Sequence, residues 1–194
     1  MSSSLTVQRD NCKLVVESRL EAQNVLVLHY TFRNDTAHDV FLFNALYKEI
    51  GEGPLFDTDP NLLNVELTPR GILLSKKIIA VPSDMDVEKP MLPCSNLVKS
   101  GANRSENIRL SLPLSPWTPY IGNSAPSSSS QIFQRKAWFE VGFFISSSAS
   151  RSLAQPVQTK QGDAFYFDPF PIEGQQTLEV ALPVEIPIRI SPQP

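Results

Sequence analysis

The sequence lacks most of the residue patterns that mark a catalytic site. It has two histidines, eight glycines and two cysteines in 194 residues. There is no Gly-x-Ser-x-Gly turn for an exposed nucleophile and no glycine-rich phosphate loop after a strand. We expect His29 to be a hydrogen-bonded strand histidine and His38 a solvated turn histidine. The sequence therefore predicts no catalytic residue and no cofactor, and it indicates a protein that is not an enzyme.

Charge and hydropathy argue against two further classes. The 17 basic and 20 acidic residues are spread along the chain, and no basic block forms the electrostatic footprint of a nucleic-acid binder. No apolar run is long enough for a membrane-spanning helix. The first ten residues lack the apolar segment of a signal peptide, so we expect a cytoplasmic protein, although a leader removed ahead of Met1 would leave the same sequence.

The cysteine content is low, and both cysteines are predicted to be free thiols. Cys12 lies near the start of a predicted strand and Cys94 in a proline-rich loop, so no pattern brings the two together. A single disulfide between sheets is the alternative. Because a chain without a signal peptide is expected in a reducing compartment, the reduced state is favoured.

What the sequence does contain is alternation. Between residues 178 and 190 every even position is a large aliphatic residue, and every odd position is polar, small or proline. Strand side chains alternate between faces, so this run predicts a strand with one fully apolar face. Pro183 and Pro187 share a parity, which puts their missing N–H groups on one edge. We therefore predict an outer strand whose free edge is blunted by proline.

Similar alternation recurs along the chain and predicts about seven to ten strands with no amphipathic helix. It predicts a hairpin from residues 62–67 and 72–81, a strand at 132–145 with apolar residues on both faces, and a strand at 157–167. Residues 51–60 are expected to form a loop, residues 82–96 an irregular stretch, and residues 146–152 a second serine-rich loop after the one at 113–130. No repeat or linker divides the chain, so residues 1–194 are predicted to form a single domain. The expected fold class is all-β, an antiparallel, immunoglobulin-like β-sandwich with long Pro/Ser-rich loops. The residues predicted to be mostly buried in its core are Leu28, Tyr30, Phe139, Val141, Phe143, Leu182, Val184 and Ile186.

One segment resembles a known arrangement. Residues 25–47 comprise an alternating strand, an Asn-Asp-Thr turn and a second apolar strand. This segment resembles the B–C hairpin of many bacterial immunoglobulin-like domains. The resemblance is confined to these residues and identifies no family.

Two acidic loops offer the carboxylate spacing that calcium can use. Asp57 and Asp59 are two residues apart, and Asp84, Asp86 and Glu88 follow the same spacing. The second loop lacks the glycine and the distal glutamate of an EF-hand, and acidic pairs in loops are usually solvated turn residues. The sequence therefore predicts no metal site, with calcium as the alternative. Zinc is not supported, because no Cys/His cluster occurs.

Aromatic residues in proline-containing loops are the strongest candidates for a binding site. They are Trp117, Tyr120, Phe165, Tyr166, Phe167 and Phe170. Aromatic side chains next to prolines give rigid contact surfaces for partners or sugars. The alternative is that these side chains fold back over the ends of the core, since large aromatics are highly buried on average.

Three functions follow from these patterns. The leading one is a non-enzymatic protein-binding or structural module that recognises another protein through its loops rather than through its terminal edge strand. The alternative is a carbohydrate- or small-ligand-binding sandwich that uses the loop aromatics. The third, an enzyme, requires Cys12 or Cys94 to meet a histidine in the fold. A β-sandwich hosts all three, so the fold alone does not select among them.

Overall fold

A computed structural model of the chain describes residues 3–22, 24–50, 55–87, 90–121, 130–168 and 174–190, and this part is nearly all β. Its strands are β1 (Ser3–Arg9), β2 (Cys12–Glu21), β3 (Val25–Asn34), β4 (Val40–Ala45), β5 (Tyr47–Ile50), β6 (Leu55–Thr58), β7 (Asn64–Thr68), β8 (Gly71–Lys76), β9 (Cys94–Val98), β10 (Asn103–Ser111), β11 (Gln131–Ile145), β12 (Gln155–Thr159), β13 (Gly162–Tyr166) and β14 (Gln176–Ile190). One short helix, α1 (Ser148–Leu153), is described with them. No helix in these ranges has the length and apolar character needed to cross a membrane.

The strands form a small sheet and a large one. The small sheet has the order β1-β2-β3-β10 and is antiparallel throughout. In the large sheet β11 pairs with β14 on one side and with β8 and β4 on the other. Beyond β8 comes β7, and beyond β4 come β9, β13, β12, β6 and β5. The all-β prediction is confirmed, although β11–β8 and β12–β6 are parallel pairs in an otherwise antiparallel arrangement.

The first core lies where residues of the small sheet meet those of β8, β11 and β14. Its aromatic pairs link the two sheets, with ring centroids 5.2 Å apart for Tyr30 and Phe139 and 5.1 Å apart for Phe32 and Phe143. Of the eight residues predicted to be in the core, seven are buried, and Val184 is half-buried against the same cluster. This agreement follows from strand alternation, because the apolar parity of each strand faces the other sheet.

A second core lies on the opposite face of β11 and β4. Phe144 stacks on Phe41 with ring centroids 5.0 Å apart, and both contact Phe167 edge-on. Strands β6 and β13 close this core with Phe56 and Tyr166, whose centroids are 5.2 Å apart. The apolar residues on both faces of β11 therefore have a structural reason: one strand serves two cores.

Strand β14 is the predicted outer strand, and its even-numbered residues face the core as expected. Its pairing with β11 contains a bulge: Lys136 pairs with Glu185, whereas Trp138 pairs with Ala181. Pro183 lies within this bulge, a position where a strand tolerates a residue without an N–H.

The free edge of β14 is only partly free. Its odd-numbered backbone groups point away from β11, as the parity of the prolines predicts. Near the C-terminal end, however, the backbone of Leu114 forms hydrogen bonds with these groups. The Leu114 N–H donates to the carbonyl of Pro187 at 2.9 Å, and the Arg189 N–H donates to the carbonyl of Leu114 at 2.7 Å. The expectation of a wholly solvent-facing edge is therefore wrong at this end, because a separate segment of chain adds one bridge there.

Several elements differ from the sequence expectation. The expected loop at residues 51–60 contains β6, the irregular stretch at 82–96 contains the start of β9, and the single strand expected at 157–167 is the hairpin β12–β13. The second serine-rich loop contains α1, which begins at a capping box between Ser147 and Ser150. Each element missed is short, so a local pattern of a few residues carried little signal.

The predicted hairpin at residues 62–81 forms as β7 and β8, with Pro69 and Arg70 in the turn. Gly71 follows with φ 141°, a backbone conformation that side chains rarely adopt. A Cβ at this position would also collide with the carbonyl oxygen of Lys136. Glycine is therefore required both for the turn and for the close approach of β8 to β11.

Asn34 holds the turn between β3 and β4. Its side chain is fully buried, and its Nδ2 donates to the carbonyls of His38 at 2.8 Å and Val98 at 2.9 Å. Its Oδ1 accepts from the N–H of Thr36 at 3.0 Å and from the Thr36 hydroxyl at 2.7 Å. One amide thus fixes the turn and attaches it to the end of β9.

Candidate functional site

The aromatic cluster around residue 166 is part of the second core. Tyr166 and Phe167 are buried, with 8% and 1% of their surface exposed. Phe165 is half-buried, and its ring meets Phe41 edge-on at 5.4 Å. Phe170 lies outside the described residues. The interpretation of these residues as core side chains, which the sequence left open, fits Tyr166 and Phe167, because neither presents a ring face to solvent.

Trp117 and Tyr120 are half-buried in the segment that follows β10. The backbone of Trp117 is bonded in both directions to Val65 of β7, at 2.7 and 3.0 Å. Trp117 also borders a small crevice together with Tyr47 and Leu92. These two aromatics are therefore anchored against the body of the protein and only partly accessible to a partner.

The first acidic loop is engaged in local contacts. Asp57 pairs with Lys160 at 2.7 Å, and Asp59 accepts from the backbone N–H of Asn61 at 2.8 Å. Asp84 and Asp86 belong to the described residues and Glu88 does not. In the described part of the chain, no cluster of three or more potential metal ligands is present.

The two cysteines are buried free thiols in different cores, Cys12 in the first and Cys94 in the second. Burial raises the pKa of Cys12 to about 11, with a further contribution from Asp10 and Asp35. Burial also raises the pKa of Cys94 to about 12. Both groups are therefore thiols at neutral pH, whereas a nucleophilic cysteine acts as the thiolate.

A buried ion pair, absent from the sequence expectations, joins the two sheets at one end of the first core. Lys76 is the last residue of β8 and its side chain is fully buried, whereas that of Glu106 on β10 is 14% exposed. The Lys76 Nζ lies 2.9 Å from the Glu106 Oε2. It also lies 3.0 Å from the carbonyl of Asn44 and 2.9 Å from the carbonyl of Pro60.

These contacts identify the charge state of Lys76. All three partners are oxygen acceptors, and only an ammonium group can donate to three acceptors at once. Burial lowers the pKa of Lys76 from its ordinary value, and the charge of Glu106 opposes that shift. With all three donors engaged, we assign the buried side chain as a cation.

Glu106 is the centre of the network. The Tyr30 hydroxyl donates to its Oε2 at 2.7 Å, and the Asn44 amide donates to its Oε1. Burial alone would raise the pKa of Glu106, but the nearby Lys76 charge and these hydrogen bonds outweigh burial and lower it. Burial and the neighbouring carboxylate raise the pKa of Tyr30 well above its ordinary value, so Tyr30 remains a donor. The site therefore holds a carboxylate, an ammonium and a phenol in fixed positions.

A polar cleft opens directly above this network. It lies between β10 of the small sheet and the ends of β6 and β12 of the large sheet, and its volume is about 350 Å³. The residues that line it and enter the arguments below are Asn44, Asp59, Arg104, Glu106, Asn107 and Gln161. Its size is typical of a small-molecule site, which usually measures about 300–1,000 Å³.

The rim of the cleft carries donors that the protein itself does not use. The Arg104 side chain is 40% exposed and contacts Glu106 only through Nε, at 3.4 Å. Within the described residues, neither of its Nη atoms has a hydrogen-bond partner. The amide oxygen of Asn107 is taken by His29 at 2.9 Å, and that of Gln161 accepts from Thr58. The NH₂ group of Gln161 is thus left for a ligand, whereas the Asn107 side chain lies with His29 on the outer face of the small sheet, opposite to Glu106.

The sequence contained a usable signal for this site. Lys76 shares its parity with the buried Ile72 and Leu74, and Glu106 shares its parity with the buried Ile108. Charged residues are almost never fully buried unless they are paired. Two opposite charges at core-facing positions of two strands therefore indicate a buried ion pair. That they meet, and that a cleft lies above them, depends on how the sheets face each other.

The chain was also compared with known proteins. No protein-family model, no curated protein and no solved structure matches it.

Proposed function

We propose that this protein is a non-enzymatic binding module, an immunoglobulin-like β-sandwich that takes a small polar ligand into the polar cleft. A small-ligand-binding sandwich is the alternative function expected from the sequence. In this proposal the ligand binds in the cleft and not at the loop aromatics. The observation that carries the proposal is the volume of about 350 Å³ above the Lys76–Glu106 pair, lined mainly by polar side chains. A concave site with a few convergent polar groups is the usual setting for ligand recognition.

The floor of the cleft supports binding rather than catalysis. Lys76 is fully buried and donates to three oxygens, so it offers no free lone pair for nucleophilic attack. Glu106 accepts hydrogen bonds from four neighbours, and its lowered pKa makes it a poor proton donor at neutral pH. Such fully satisfied groups hold a fixed shape, which reduces the entropic cost of binding.

The test is a thermal-shift and ligand-detected NMR screen of neutral sugars, polyols, amino acids and small carboxylates. Gln161→Trp places an indole at the exposed mouth of the cleft and should abolish binding of any hit. Gln8→Trp is the matched control, because Gln8 is exposed on β1 and does not line the cleft. The proposal fails if no compound binds, or if the hits bind Gln161→Trp as tightly as the unaltered protein.

A partner protein, the leading expectation from the sequence, is the second candidate. It is favoured by Ile121, which is 51% exposed at the end of a hydrogen-bonded turn. In that turn the Thr118 hydroxyl accepts from the N–H groups of Tyr120 and Ile121, at 3.3 and 3.0 Å. Proteins that copurify from the native source should be lost with Ile121→Ser. They should be retained with Leu153→Ser, which removes a similarly exposed side chain on α1. Equal recovery with both variants would rule out this surface.

A further inference from the structure

We infer that the polar cleft recognises a carboxylate group, which the guanidinium of Arg104 binds through its two free Nη atoms. This inference rests on the proposed ligand-binding function and names the chemical class of the ligand. An arginine fork matches the two oxygens of a carboxylate and gives a bidentate pair.

The charges at the cleft leave Arg104 available for such a ligand. Glu106 is a carboxylate that Arg104 contacts, but the fully buried Lys76 binds it at 2.9 Å. The contact from the Arg104 Nε to Glu106 is longer, at 3.4 Å. The Lys76–Glu106 pair is therefore neutral overall, and the Arg104 guanidinium contributes an accessible positive charge. By contrast, Arg109 on the same strand is paired with Glu21 at 2.7 Å.

An uncharged group favours the same class of ligand. Gln161 lines the cleft, and because its amide oxygen accepts from Thr58, it presents its NH₂ donors to the cleft. A donor-rich rim suits a ligand group that only accepts hydrogen bonds, as an ionised carboxylate does. Asp59 also lines the cleft, and its Oδ1 is bonded to Asn61. Its remaining oxygen can accept from an amine or hydroxyl group of the same ligand.

The size of the cleft limits the ligand. A water molecule takes up roughly 30 Å³ of liquid, so 350 Å³ holds about twelve groups of that size. This matches a free amino acid or the last two residues of a peptide. Both sources present a carboxylate, and they differ in what is attached to it.

The experiment measures binding of four probes by calorimetry and NMR: N-acetylalanine, N-acetylalaninamide, and an acetylated tri-alanine peptide with a free or an amidated C-terminus. The two free acids should bind, and their affinity should fall between 50 and 300 mM salt because charge contributes. N-acetylalaninamide and the amidated peptide should bind at least tenfold more weakly. A tighter fit for the peptide acid identifies a peptide C-terminus as the natural source, and a tighter fit for N-acetylalanine identifies a free small acid.

Arg104→Gln should weaken binding of the free acids by about tenfold to a hundredfold, the scale of a hydrogen bond to a charged group. Arg104→Lys should restore only part of it, because an ammonium lacks the fork. Arg109→Gln is the control and should bind like the unaltered protein. Unchanged thermal unfolding without ligand should show that each variant is folded.

The carboxylate inference is overturned if acids and amides bind equally, or if Arg104→Gln binds the acids normally. If neutral sugars bind and are lost in Gln161→Trp while the acids do not bind, the cleft remains a ligand site and only the carboxylate inference fails. If no probe and no screened compound binds, both proposals fail.

Discussion

The buried Lys76–Glu106 pair offers the sharpest test of the structural reasoning. Glu106→Gln keeps the shape of the side chain but removes its charge, so the buried ammonium of Lys76 keeps only uncharged oxygen acceptors and loses the carboxylate that neutralises it. Breaking a buried ion pair by removing one partner costs about 3–5 kcal/mol of unfolding free energy. For a chain of this size each kcal/mol lowers the Tm by about 2–4 °C, so we expect a fall of about 6–20 °C.

The double variant Lys76→Met with Glu106→Gln separates the charge effect from loss of packing. Once both charges are gone, no uncompensated ion remains, so the double variant should be more stable than Glu106→Gln alone. Urea denaturation at pH 7 measures each free energy, and an unchanged dependence on urea shows that the folded state is comparable. Glu185→Gln, an exposed change on β14, is the control and should stay within about 0.5 kcal/mol.

The same pair predicts a pH dependence. The pKa of Glu106 is lowered in the folded state from its ordinary value of 4.5. A depressed carboxyl pKa contributes stability that is present above the unfolded pKa and is lost as the pH falls below it. The unaltered protein should therefore lose stability below pH 4.5 more steeply than Glu106→Gln. If Glu106→Gln costs less than about 1 kcal/mol at pH 7, or if the two pH profiles coincide, the buried pair described above is wrong.

Three further predictions follow from burial. Phe143→Ala should cost about 3–5 kcal/mol in urea denaturation through lost burial and the cavity left behind, and a loss below about 1 kcal/mol would contradict its place in the first core. Asn34→Ala should lower the free energy of unfolding by about 1–3 kcal/mol in the same measurement, because it leaves buried carbonyls without a donor. A thiol reagent at pH 8 should label Cys12 and Cys94 slowly in the folded protein and rapidly in urea. Rapid labelling of the folded protein would contradict their burial.

Much of the fold could be predicted because its signal is local. The alternation at β14 and the two apolar faces of β11 can be recognised from consecutive residues. The predicted burial of Phe139, Val141 and Ile186 is accordingly confirmed. The parallel pairing of β11 with β8 could not be predicted in this way, because it joins segments about sixty residues apart. The short strand β9 pairs with β4, about 50 residues earlier in the chain, and β6 pairs with β12, about 100 residues later.

The candidate site shows the same division. The parity of Lys76 and that of Glu106 can be read from their own strands, and each places a charge toward the core. Their contact requires the small sheet to face β8, which is a property of the assembled fold. The loop aromatics illustrate the converse case. Tyr166 and Phe167 are residue types that are common at binding surfaces, but here their rings fill the second core. Large aromatic side chains are highly buried on average.

The two-sided use of β11 has a consequence for how its length can vary. Phe143 belongs to the first core and the adjacent Phe144 to the second. Inserting or deleting one residue among positions 139–142 would turn every following side chain to the opposite face and exchange the contents of the two cores. Changes of two residues preserve the faces and shift only the register against β14 and β8. The length of this strand can therefore change only in steps of two residues. A strand that packs against a single core and faces solvent on its other side would be restricted far less.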